Sequence, residues 1–161
     1  MGDAEPTNTK CSESSSLQRD VNELFSRRSP EGGQARPKFS EDEIELAQLF
    51  KAYGLDWSPA PGHYVLDQSE LIECGSPFQG RVFFILDLKH FLRRCSTLTE
   101  LKQRMCWLPD WDDARQILRD LSVDSRLVAE RLQMSCAIES GSERLELYRM
   151  IEESLTGSLD S

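Results

Sequence analysis

The sequence predicts a mainly α-helical protein. It is read as a compact multi-helix bundle with one small β-hairpin at about residues 64–74, preceded by a disordered N-terminal tail. Three observations carry this. Helix-start signatures recur at short intervals, at Ser40 with Glu43, Thr97 with Glu100, Asp110 and Asp124. Behind each, apolar residues fall at helical spacings. Residues 1–39, by contrast, are polar and broken by Gly and Pro, as in "SESSS" and "RRSPEGGQARPK".

Three regions follow: a tail over 1–39, a single α-helical domain over 40–156, and a disordered C-terminus over 157–161. Within the tail, "SLQRDVNELFSRR" places Leu17, Val21, Leu24 and Phe25 on one stripe, predicting a docking helix over 16–28. A helix that short is not stable alone in water, so it needs a groove, on a partner or on its own domain. Ser29, in "RRSP", fits a kinase target, where a phosphate adds about −1.5 to −2 charges beside Arg27 and Arg28.

In the domain, "SEDEIELAQLFKAYG" opens with the Ser40/Glu43 capping box, presents Ile44, Ala47, Leu49, Phe50 and Tyr53, and stops at Gly54. "DWSPAPGH" is a loop. "YVLDQSELIEC" offers two short apolar runs about Asp67-Gln68-Ser69, hence the hairpin. "SPFQGRVFFILDLKHFLRRC" is ambiguous. Ser76, Pro77 and Gln79 resemble a helix start, Val82–Ile85 suit a strand, and the long apolar continuation to Leu92 favours a central buried helix. Three helices follow. The first starts at Thr97 with Leu98, Leu101, Met105 and Leu108 on its stripe, the second at Asp110 with Trp111, Ala114, Ile117, Leu118 and Leu121. The third starts at Asp124, where Val123 and Val128 form a hydrophobic staple. The last helix runs from about Ser142 to Leu155, with Leu145, Tyr148, Ile151 and Leu155 inward.

Charge narrows the function classes. The tail is balanced, six acidic against six basic residues, so the net −9 belongs to residues 40–161. Such a surface repels phosphate, which argues against general nucleic-acid or anionic-membrane binding. One basic island, Arg81 to Arg104, holds six basic residues against two acidic ones and leaves nucleic acid as an alternative partner for that segment alone. No apolar run reaches the ~20 residues that cross a bilayer. The opening "MGDAEPTNTK" lacks the apolar core of a secretory signal, and five scattered cysteines suggest reduced thiols. A cytoplasmic or nuclear location is the expectation.

Catalytic and metal signatures are weak. With only His63 and His90, no C-x-x-C and no H-E-x-x-H, neither a metal nor a cofactor is expected. Cys95, His90 and Asp87 form the one thiol–base–acid triplet that sequence proximity allows, the basis of an alternative enzyme reading. In "CWLPDWDDARQIL" three aspartates suggest a cation site. Helix-start chemistry explains them better, since Asp110 caps while Asp112 and Asp113 occupy the first turn, where negative charge gains about 0.3–1 kcal/mol each. Trp111 reads as core. Trp107 reads as a residue near a helix corner, open to a partner, and Trp57 as a loop residue of the same kind. The expectation is a non-enzymatic protein-interaction module, of adaptor or regulatory type. Its partner-binding residues are Leu17, Val21, Leu24, Phe25, Trp57, Arg93, Arg94 and Trp107, and its partner another protein.

Overall fold

The computed structural model describes residues 38–157. The expectations placed on Leu17, Val21, Leu24, Phe25, the helix at 16–28 and Ser29 lie outside the described residues, as do those on 158–161. Helix α1 spans Glu41–Ala52 and is followed by strands β1 (Tyr64–Asp67) and β2 (Val82–Phe84). Next come helices α2 (Leu88–Leu92) and α3 (Leu98–Arg104), strand β3 (Met105–Leu108), and helices α4 (Trp111–Asp120), α5 (Ser125–Met134), α6 (Ala137–Ser140) and α7 (Glu143–Thr156). A mainly helical fold is what the capping signatures predicted.

Those signatures work as local chemistry. Ser40 Oγ accepts from Glu43 N at 3.2 Å while Glu43 Oε2 accepts from Ser40 N at 2.7 Å. Asp110 and Asp113 exchange the same pair of bonds at the start of α4. Thr97 and Asp124 each accept from a first-turn amide. Helix α1 ends in a Schellman turn, Leu55 N donating to Phe50 O and Gly54 N to Lys51 O, with Gly54 at φ +81°. Ser122 takes the same left-handed place after α4 at φ +62°, a conformation that costs a non-glycine residue.

The sheet corrects three expectations. Its order is β2-β1-β3, and both neighbours run antiparallel to β1. The hairpin expected at 64–74 does not form there, because β1 pairs with residues 82–84. The intervening loop is organised by Asp67, whose carboxylate accepts from the backbone N–H groups of Ser69, Leu71 and Ile72 and from Arg81 Nη2. A single helix over 76–92 does not form either. Ser76 Oγ serves a local turn by accepting from Phe78 N and donating to Val82 O, and Asp87 breaks the apolar run by capping α2 through Lys89 N. Finally, α3 stops at Arg104, so Met105–Leu108 form a strand instead of a last helical turn. Lys51 Nζ reaches that junction from α1, donating to the carbonyl oxygens of Gln103 (2.7 Å) and Met105 (3.0 Å) and to Gln68 Oε1 (2.9 Å).

Strand alternation divides the interior. Tyr64, Leu66, Val82, Cys106 and Leu108 pack with α1, α4, α5 and α7, around the fully buried Leu147, Tyr148 and Ile151. Val65, Phe83 and Met105 pack on a second cluster with Ile85, Phe91, Cys95, Leu101 and Trp57. Trp107 packs against both clusters. Tyr148 is fully buried, and its hydroxyl donates to Pro109 O at 2.5 Å. A bidentate pair, Arg144 to Glu43 at 2.8 Å twice, ties the start of α7 to the start of α1.

Candidate functional site

The loop "DWSPAPGH" leaves α1 and returns the chain to β1, holding Trp57 at one end and His63 at the other. Gly62, at φ +102°, allows the turn, with Gly62 N donating to Ile85 O and Ile85 N donating to His63 O. Trp107 projects from the middle of β3, opposite Val65. The indoles of Trp57 and Trp107 lie 10° from parallel with centroids 5.6 Å apart, and the His63 ring packs against both at 5.9 and 5.2 Å. Facing them is one side of α4. Asp113, Gln116, Ile117, Asp120 and Leu121 recur at the three- and four-residue spacing that puts side chains on one helix face. Leu55 and Asp56 close the end, and the recess enclosed measures about 240 Å³.

Its electrostatics are one-sided. Asp56, Asp113 and Asp120 line it, and no Lys or Arg does. Lys102 hydrogen-bonds the Asp56 carboxylate and holds it below the usual carboxylate range. Asp113 is pushed the other way: burial and the neighbouring Asp110 and Asp112 carboxylates raise it against the Asp110 amide and His63. Two buried polar atoms, His63 Nδ1 and Trp107 Nε1, have no hydrogen-bond partner among the described residues. A buried donor without an acceptor is costly and uncommon.

The expected partner-binding residues divide. Trp57 and Trp107 come together as the wall of this recess, though Trp57 is 9% exposed and Trp107 half-buried, on a strand rather than at a helix corner. Arg93 and Arg94 line no part of it. Arg93 is the C-cap of α2, and Arg94 pairs with Glu73 at 3.3 Å on the surface. The basic island is largely neutralised by the domain's own carboxylates, through Arg81–Asp67, Arg94–Glu73, Lys102–Asp56 and Arg104–Glu100. Trp111, expected in the core, is 40% exposed with Arg115 stacked 4.9 Å over its ring.

Cys95, His90 and Asp87 are not assembled. Cys95 is buried and its thiol is pushed up by burial, His90 is exposed, and the Asp87 carboxylate is engaged at Lys89 N. Among the described residues no cluster of His, Cys, Asp and Glu has a metal-holding arrangement. A polar hollow of about 380 Å³ lies between the α4–α5 turn and the end of α7, but Asp124, its one acidic lining residue, is committed to capping α5. Sequence reading missed His63, Gln116 and Asp120. The available signal was the spacing of Asp113, Gln116, Ile117 and Asp120, a polar edge beside the apolar stripe of α4.

Fold and site together define a mainly helical domain with a small antiparallel sheet and an aromatic, acid-lined recess. The chain matches no family model, and no curated protein or solved structure is significantly similar to it. Among the described residues no helix is long and apolar enough to cross a membrane.

Proposed function

We propose that the protein is a non-enzymatic protein-interaction module, of adaptor or regulatory type, that receives a side chain of its partner in the Trp57–Trp107 recess. The observation that carries this is the near-parallel pair of tryptophans facing a cavity of about 240 Å³. Tryptophan is the residue type most enriched at binding hot spots, above all where it lines a desolvated pocket. Size supports a side chain as occupant, since clefts for drug-sized molecules and cofactors hold about 300–1,000 Å³. By its spacing alone, the stripe Leu17, Val21, Leu24 and Phe25 offers a second contact, which phosphate on Ser29 would modulate.

Selection of displayed random peptides on the full-length protein tests this. The counter-selection uses Gln116→Trp, which fills the recess from the exposed face of α4. Recovered peptides are expected to bind the unmodified protein and lose binding to the filled variant. Peptides that bind both equally would show that the docking surface lies elsewhere.

A further inference from the structure

On the reading that the recess docks a partner protein, we infer that it takes in an arginine side chain, the guanidinium plane against the Trp57–Trp107 wall and its N–H edge toward Asp113 and Asp120. Charge points to a cation. The lining carries three carboxylates and no Lys or Arg, and aromatic faces add the negative side of their quadrupoles. Asp56 already has Lys102. Asp113 and Asp120 have no ion-pair partner among the described residues. One oxygen of each is committed, Asp113 Oδ2 to Asp110 N and Asp120 Oδ1 to Gln116 Nε2, which leaves one free acceptor on each. Asp113 Oδ1 and Asp120 Oδ2 are those acceptors.

Geometry selects guanidinium over ammonium. Asp113 and Asp120 stand seven residues apart on one face of α4, about 10 Å along the helix axis. The guanidinium carries five N–H donors on two edges, so it serves both carboxylates when their side chains lean toward each other over the intervening turns. An ammonium is a compact point charge that reaches one at a time. The two indoles are stacked on each other, so a planar cation meets one outer face of that stack, the geometry a guanidinium prefers. Asp113 is raised first by burial, then by the neighbouring Asp110 and Asp112 carboxylates. The charged and titratable groups around it are Asp110 and Asp112 on its own helix, His63 across the recess and Tyr148 from α7, none of them a fixed cation.

The test uses the full-length ¹⁵N-labelled protein and N-acetyl-arginine methylamide, with the citrulline, lysine and norleucine analogues as comparators. Three indole N–H resonances are read, and Trp111, which does not line the recess, is the internal reference. Arginine is expected to shift Trp57 and Trp107 to saturation and leave Trp111 in place. It should bind about ten-fold more tightly than isosteric citrulline and several-fold more tightly than lysine. Asp113→Asn and Asp120→Asn, which retain an acceptor for the existing hydrogen bonds, should each weaken arginine several-fold and leave citrulline unchanged. Equal binding of citrulline or norleucine overturns the inference while the docking reading stands. Lysine equal to arginine overturns the choice of guanidinium. No shift of Trp57 or Trp107 with any probe overturns the inference, and the peptide selection then decides the docking reading separately.

Discussion

At the residue scale, two aspartates placed in opposite environments give opposite pH behaviour. Burial pushes Asp67 up, but the amides of Ile72 and Leu71 and the guanidinium of Arg81 together outweigh it, and its carboxyl sits below the usual range. Its stabilising contribution is present above the ordinary aspartate value and is lost as pH falls through the lowered one. Asp67→Asn is therefore expected to cost about 1.5–3 kcal/mol near neutrality, the worth of a hydrogen bond to a charged group, and progressively less in acid. Asp113 is raised by burial, so folding favours its protonated form. That contribution is complete below the ordinary value and disappears as pH rises through the raised one. Asp113→Asn should consequently gain stability relative to the unmodified protein as pH climbs from below the ordinary aspartate value through the raised one, the reverse of Asp67→Asn. Urea midpoints measured across this range check both, and parallel profiles for the two variants would refute the assignment.

At the scale of elements, helix starts were legible because capping is written within four residues. Ser40, Thr97, Asp110 and Asp124 all cap as their neighbours predict. Strands were only partly legible, for a physical reason: β1 lies in the first run of the expected hairpin and Val82–Ile85 suited a strand, but the pairing and β3 went unread. Each is three or four residues long, and β2 and β3 contribute side chains to cores on both faces, so Val82-Phe83-Phe84 shows no alternation of apolar and polar residues. Length favoured a helix only because the break supplied by Asp87 went unread. The recess shared this fate: Trp57 and Trp107 were visible as candidates, but their pairing, and the facing side of α4, depend on the sheet register. Helix ends support a further prediction. Ser122→Gly should relieve the left-handed strain after α4 and stabilise by about 0.5–1 kcal/mol, seen as a Tm higher by roughly 2–4 °C. Gly54→Ala should do the opposite by about 1 kcal/mol, since space for a Cβ is open there and only the φ angle resists.

At the scale of the molecule, the described fold is two apolar clusters on opposite faces of one small sheet, fastened by a few long-range polar ties. The Arg144–Glu43 clasp is one, with Arg144 also stacked 4.2 Å over Phe39. Arg144→Met should cost about 3 kcal/mol, because it strands a buried carboxylate. Adding Glu43→Gln should return part of that loss, and a double-mutant cycle on urea midpoints measures it. Lys51 is another tie, desolvated enough that its ammonium is pushed down. Its contact with Gln103 O spans 52 positions of sequence and falls where α3 becomes β3 without an intervening residue. A synthetic peptide covering residues 96–110 lacks that lysine. In a helix-promoting cosolvent it is expected to continue the helix beyond Met105, as carbon chemical shifts would reveal. The full stop of this helix is thus kept in a distant paragraph of the chain, so a graft of residues 97–108 into another protein would copy the words and leave the punctuation behind.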